Sequence, residues 1–358
     1  MKKLLALALC AAMVLSVAAC GGNGKTSTPT TPDKKEETTK KEETSKPAEV
    51  REVKFSCTPA ETAVIYETCV FMAEKIEEYS EGRFDVTVYA NEQLGGGDLQ
   101  KAVEMVFTGI VDMDAKSVIN MTGFEPKLTI SMMPWIYSGG FEEVDSYLRG
   151  GGTGQKAYEE LIAAKGSKVI GMAENGFRQL TNNVKAVHAP ADMARLKIRV
   201  PPITMYTDLF KLFGSDPVTM NFGEVFTALQ QGTLDGQENP IDTIRAGQFK
   251  EVQKYLTIWD YSYDPYILHV SQKFWDSLSP EDQELFLRVG EEGAARDCEV
   301  NRSKNAGTLE DFKAAGMEIN ELTKEEKAAF QEAAAPIYDM YREKIGDDVF
   351  AAFGYTFN

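Results

Sequence analysis

Two distant segments of this chain share one construction: an amphipathic helix, a glycine, and at once a short strand. LQKAVEMVFTGIVDMDA (99–115) turns at Gly109, and EVFTALQQGTLDGQ (224–237) turns at Gly232. Glycine takes the left-handed conformation at a helix C-terminus with little steric cost, so the following strand starts without a long loop. EVKFSC (52–57) and RFDVTVYA (83–90) alternate as strands, and between them Ile65, Tyr66, Cys69, Val70, Ala73 and Ile76 form a helical apolar stripe. Strands and helices that alternate in this way predict an α/β fold. The repeated unit predicts two α/β domains of related construction.

Ser279-Pro280-Glu281-Asp282 combines an N-cap, a proline at the first helical position and acids in the first turn. No proline follows until Pro336. A helix running from there to Lys313 would be about 50 Å long, more than one small domain needs, and would brace both domains. Gly290 and Gly293 are the two positions where it would otherwise break.

The N-terminus sets the compartment. A run without charge from Leu4 to Ala19 follows two lysines; it is short for a membrane span and reads as a signal peptide over 1–20. It ends at Val17-Ala18-Ala19-Cys20, which resembles a bacterial lipobox, so Cys20 is the expected site of lipidation. Residues 21–50 are rich in Thr, Lys, Glu and Pro and nearly devoid of apolar side chains, the composition of a disordered tether. The expected location is extracytoplasmic, lipid-anchored to the bacterial cell membrane.

Charge and missing motifs narrow the function. With 38 Lys and Arg against 55 Asp and Glu, the formal net charge is −17. That argues against a nucleic-acid partner and against a polybasic membrane patch. Two histidines, His188 and His269, cannot form a His-based zinc motif, and no P-loop, nucleophile elbow or C-x-x-C pair is present. RGGGTGQ (149–155) has Gln155 where a dinucleotide-binding pattern needs its last glycine. No motif points to a metal or cofactor, and an anchored enzyme built on scattered carboxylates is the alternative to the expected non-enzyme. Cys57, Cys69 and Cys298 are left after the leader; a Cys57–Cys69 bridge and buried free thiols both fit.

LKIRVPP (196–202) reads as a strand with Leu196, Ile198 and Val200 on one face and Arg199 on the other. An arginine there sits either on a solvated face or in a cleft, where its planar fork of donors suits a carboxylate.

GFRQLTNNVKAVHAPADMARLKIRVPP (176–202) followed by FGEVFTALQQGTLDGQENP (222–240) resembles the solute-binding proteins of tripartite ATP-independent periplasmic (TRAP) transporters, the dicarboxylate-binding type. VTVYANEQLGGGDLQKAVEMVFTGIVDM (86–113) and MMPWIY (132–137) fit the same family. The resemblance implies a two-domain, class II type clamp of the periplasmic-binding-protein kind, joined by crossing strands and a long spanning helix. Residues 51–176 with 265–304 would form domain I, and 177–264 with 305–358 domain II. Arg199 matches the family's carboxylate-pairing arginine. Arg178 matches a second arginine near the ligand, with an ion pair to a residue such as Glu238 as its structural alternative. Asn239 matches a ligand-contacting asparagine. Phe222, after an expected Asn221–Glu224 capping box, matches an aromatic that packs on the ligand or else belongs to the core. Lys116 falls where family members vary with their ligand and is either a cation for a second carboxylate or a solvated lysine. Tyr261 is a further candidate. The expected partners are a small organic acid and the integral membrane TRAP permease subunits, with the protein itself monomeric. A dicarboxylate such as malate or succinate is favoured; a hexuronate or other sugar acid, or ligand presentation to a sensor kinase, are the alternatives.

Overall fold

In the computed structural model, residues 50–357 are described. The expected signal peptide, Cys20 and nearly all of the tether lie outside them. The chain opens with β1 (Arg51–Cys57), α1 (Val64–Tyr79), β2 (Phe84–Tyr89), α2 (Leu99–Phe107) and β3 (Met113–Ser117). Next come α3 (Phe141–Leu148), α4 (Thr153–Ala163), β4 (Ser167–Asn182), β5 (Lys197–Val200), α5 (Thr204–Leu212), β6 (Asp216–Thr219), α6 (Phe222–Gln230) and β7 (Gly236–Pro240). The remainder is α7 (Ile241–Ala246), β8 (Tyr255–Ile258), β9 (Tyr263–Ser271), α8 (Gln272–Asp276), α9 (Pro280–Ala314), β10 (Glu318–Glu321), α10 (Lys324–Ala334), α11 (Pro336–Ile345) and α12 (Asp347–Ala352). This is the mixed α/β order that the alternating pattern predicts.

The strands lie in the order β2-β1-β3-β9-β4-β7-β5-β6. β4 is the long crossing element. Its residues 167–177 pair antiparallel with β9, and from Arg178 to Asn182 it pairs with β7 instead. β8 joins the far half of β4, and β10 joins β8. The two helix–glycine–strand units occupy equivalent places in the two halves. Gly109 and Gly232 have φ of +73° and +68°, the left-handed conformation expected of them.

α9 is continuous over 35 residues, about 52 Å at 1.5 Å per residue. Ser279 caps it, its hydroxyl accepting from the Asp282 N–H. Neither Gly290 nor Gly293 breaks it, for a packing reason. A Cβ on Gly290 would lie 2.2 Å from the Ile170 carbonyl oxygen, and one on Gly293 would lie 2.6 Å from Met72. The glycines let the helix backbone lie directly on β4 and α1. Its first half places Leu285, Phe286 and Val289 in a core with Phe55, Phe84 and Leu268. Its far end places Phe312 in another with Leu229, Ile244 and Leu256. One helix thus packs under both parts of the sheet. The C-terminal helices bridge as well: α11 touches the 3₁₀ segment Pro126–Met132 and α5.

Cys57, Cys69 and Cys298 are free and buried, so the Cys57–Cys69 bridge is not formed. Among the described residues no helix is long and apolar enough to cross a membrane.

Candidate functional site

β5 runs parallel to both β7 and β6, with Arg199 paired in register to Gln237 and Val218. Ile198 and Val200 enter the core, which leaves the Arg199 side chain to the opposite face. There it lines a cavity of about 340 Å³, a size within the range of small-molecule sites. Arg199 is only 3% exposed, not held in an open hydrated cleft. Its Nε and Nη2 both donate to the Met220 carbonyl oxygen, at 3.1 and 2.8 Å. Among the described residues it forms no ion pair with a carboxylate. Burial pushes its pKa down to about 10; Glu238 opposes that fall and Arg178 adds to it. A guanidinium so depressed is a buried cation short of its counter-ion.

Arg178 sits where β4 exchanges β9 for β7, and it is satisfied in a way Arg199 is not. It binds the Glu238 carboxylate through Nε and, at 2.9 Å, through Nη2. Nη2 also donates to the Glu238 carbonyl (2.9 Å) and Asn239 Oδ1 (3.0 Å), and Nη1 to Asp264 Oδ2 (3.3 Å). Burial alone would lower its pKa, but Glu238, Tyr206 and Tyr261 together outweigh burial and hold it well above the usual value. Of its five donor hydrogens, one on Nη1 is uncommitted. Arg178 lines the cavity, yet the ion pair with Glu238 is its main bond.

Asn239 also lines the cavity, with its amide fixed between Arg178 and Gln237. Phe222 opens α6, is 38% exposed, and presents one edge of its ring to Phe249 at 5.8 Å between centroids. It is a cavity wall and not a core residue. Asn221 stands at the N-cap, but its side chain makes no capping bond and borders the cavity instead. The expected capping box is not formed.

Two expectations need correction. Lys116 is fully buried and does not line the cavity. Its ammonium contacts Glu92 at 2.5 Å and Asp114 at 3.4 Å, so it is neither solvated nor free for a second carboxylate. Burial opposes its charge, and the two acids together raise its pKa. Tyr261 lies outside the cavity lining too. Its hydroxyl donates to Glu238 Oε2 at 2.6 Å, and its ring packs among Trp259, Phe210, Tyr206 and Trp135. It supports the acid that holds Arg178.

Several lining groups were not anticipated: Thr58, Glu92, Ser117, Asn120, Asp242 and Asp264. Asp264 accepts from Ser117 Oγ (2.6 Å) and Asn175 Nδ2 (2.7 Å), and burial raises its pKa to about 6. Ser117 ends β3 and Asn239 lies near the end of β7, the strands of the two repeated units. That symmetry was the available signal for Ser117. Thr58 and Glu92 come from the turns after β1 and β2, Asn120 from the 3₁₀ turn after β3, and Asp242 and Asp264 from the starts of α7 and β9, where no periodic mark singles them out.

A sequence model of the family described as bacterial extracellular solute-binding protein, family 7, matches residues 55–344. The chain belongs to this family. Family 7 comprises the solute-binding proteins of TRAP transporters, which are transport proteins and not enzymes. A solute-binding protein of Verminephrobacter eiseniae is 32% identical over 278 residues, 76% of this chain and 80% of that protein. The C4-dicarboxylate-binding periplasmic protein of Rhodobacter capsulatus is 31% identical over 290 residues, 78% of this chain and 83% of that protein. The crystal structure of a TRAP periplasmic solute-binding protein from a Polaromonas species, bound to D-erythronate, superposes with a TM-score of 0.79 at 28% identity. It covers 86% of this chain and 99% of that one. The family 7 fold, a class II type clamp with its long spanning helix, is the fold described above.

Proposed function

We propose that this family 7 protein captures an organic acid by pairing the solute carboxylate with Arg199. The observation that carries the reading is a cavity-lining guanidinium with no carboxylate partner among the described residues, held by a single carbonyl. A carboxylate arriving there forms a bidentate, charge-assisted pair in a dry site and supplies the missing counter-ion. Arg178, locked by Glu238, contributes its free Nη1 hydrogen and a nearby positive charge. Phe222 and Pro201 give apolar wall, and Asn239 a fixed amide edge.

The bound acid is delivered to the integral membrane subunits of a TRAP permease, whose energy comes from an ion gradient. Residues 51–176 with 265–304 close on 177–264 with 305–358 around the crossing strands, bringing Thr58 and Glu92 toward Arg199. The change of partner along β4 supports this division. α11 touches both halves and must move with one of them. Cys20 carries a lipid and residues 21–50 tether the clamp to the membrane; a Cys20→Ser protein should be released into the soluble fraction.

Two of the three relatives frame the solute. One is named for C4-dicarboxylates and the other holds a hydroxylated monocarboxylate. The dicarboxylate expectation rested on Arg199 and Arg178 with Lys116 as a further cation; Lys116 is spent on Glu92 and Asp114, and Arg178 mostly on Glu238. A thermal-shift screen of the mature protein against an organic-acid library tests the reading. A true solute at 100 times its dissociation constant adds about 2.7 kcal/mol of stability. If no carboxylate stabilises the protein while neutral sugars or cations do, the carboxylate reading is wrong.

A further inference from the structure

Glu92 is an acidic residue of the cavity wall whose carboxylate is half used. One oxygen contacts Lys116 Nζ at 2.5 Å; the other, Oε2, is buried with no well-formed hydrogen bond among the described residues. The residue is 3% exposed and lines the cavity. The Thr58 hydroxyl lies beside it and helps to hold the Glu92 carboxylate charged, without a well-formed hydrogen bond of its own among the described residues. Burying an unsatisfied acceptor is costly, so such a group marks a place where something else completes the bond.

The backbone tells the same story. Asn91 and Glu92 both have φ of 54°, two consecutive non-glycine residues in the left-handed region. That conformation is strained for glutamate and persists only where its surroundings enforce it. Here the Asn91 N–H donates to the Pro59 carbonyl at 3.1 Å, and the Glu92 N–H to that of Cys57 at 3.4 Å. The turn after β2 is thereby held against the end of β1, with the Glu92 side chain fixed between Lys116 and the cavity.

We propose that Glu92 Oε2 accepts hydrogen bonds from solute hydroxyls, so that the site takes a polyhydroxylated monocarboxylate and rejects a C4 dicarboxylate. This rests on Arg199 as the carboxylate-capturing residue. Lys116 lies nearer Glu92 (2.5 Å) than Asp114 (3.4 Å) and offsets its charge, so what Glu92 offers the solute is an acceptor oxygen. Asp242 and Asp264 line the same cavity, and Arg178 is committed to Glu238. A second solute carboxylate would therefore meet acids with one guanidinium hydrogen to spare. Hydroxyls would instead find Glu92, Thr58, Asn120 and Thr243.

Calorimetry with D-gluconate, D-galactonate, succinate and malate tests this on the mature protein and on the Glu92→Gln and Glu92→Asp variants. The parent should bind at least one sugar acid and bind neither dicarboxylate measurably. Glu92→Gln should weaken the sugar acid by about ten- to a hundredfold, the range for a hydrogen bond to a charged group. Glu92→Asp keeps the charge beside Lys116 and withdraws the carboxylate by one methylene, so it should fold like the parent and show the same loss to a smaller degree. Tight succinate or malate binding by the parent, abolished by Arg199→Ala, would overturn the Glu92 proposal and leave carboxylate capture standing. Sugar-acid affinity unchanged in both Glu92 variants would also overturn it. Sugar-acid binding indifferent to Arg199→Ala would remove the carboxylate reading itself.

Discussion

Arg178 and Glu238 form a fork-to-fork ion pair, both carboxylate oxygens accepting from one guanidinium, at a point where neither residue is more than 1% exposed. The pair satisfies one of two neighbouring buried arginines and leaves Arg199 without a carboxylate partner among the described residues. On the proposed reading, the difference between the two arginines is what makes the cavity suited to an anion.

Breaking that pair from one side should be severe. Glu238→Gln leaves Arg178 with Asp264 as its remaining acid and takes from Arg199 the charge that offsets its burial. We expect a loss of about 3–5 kcal/mol in urea unfolding, the usual cost of orphaning a buried charge. The double variant Arg178→Met/Glu238→Met should be less destabilised than Glu238→Gln alone. A single-variant loss under about 1 kcal/mol would mean the pair is more hydrated than its burial indicates.

Two glycines of α9 should respond in opposite senses to alanine. At Gly290 the added methyl meets the Ile170 carbonyl oxygen at 2.2 Å, whereas at Gly307 nothing lies within 4 Å. Gly290→Ala should cost about 1–3 kcal/mol or more through overpacking. Gly307→Ala should gain about 0.5–1 kcal/mol from helix propensity. Equal effects at the two sites would contradict the close seating of the helix on β4.

Asp297, under the crossing strand, should give the protein a pH-dependent stability. Burial pushes its pKa up to about 7, with the Glu174 charge adding, although the Glu174 N–H, Thr68 and Asn301 pull the other way. The folded state thus holds this proton more tightly than the unfolded chain, whose value is about 3.9. Its contribution is fully present below about pH 4 and is lost as pH rises through about 7. Asp297→Asn removes the titration, so its melting temperature should improve relative to the parent between pH 5 and pH 8. Asp264, raised in the same direction, remains in both proteins and cancels in the difference. A difference in melting temperature that stays constant across that range would rule Asp297 out.

Much of the frame was legible because it is written in periods. The apolar stripe of α1, the two helix–glycine–strand units and the Ser279 cap each announce an element from residues within one or two turns. That Arg199 points away from the apolar face of its strand and toward the cavity was legible for the same reason, a charge at the odd position of an apolar strand. Lys116 and Tyr261 were misplaced because their roles depend on partners distant in sequence. Glu92 lies 24 residues before Lys116, and Glu238 lies 23 before Tyr261. Asp114 shares a face of β3 with Lys116, but nothing local says that Glu92 comes in from the turn after β2 as its second acid. Glu92 itself sits in a turn whose left-handed backbone is imposed by β1 and not by its own sequence.

The claim that Arg199 is the carboxylate clamp is tested most directly by calorimetric titration of Arg199→Ala and Arg199→Lys with the acid found in the screen. Removing the desolvated bidentate pair should cost Arg199→Ala about 2–5 kcal/mol of binding, or roughly thirty- to several-thousandfold in affinity. Arg199→Lys keeps the charge without the planar fork and should fall between Arg199→Ala and the parent. The empty protein should lose little stability, because the substitution removes a buried cation that lacks its counter-ion. Affinity of Arg199→Ala within threefold of the parent would contradict the account.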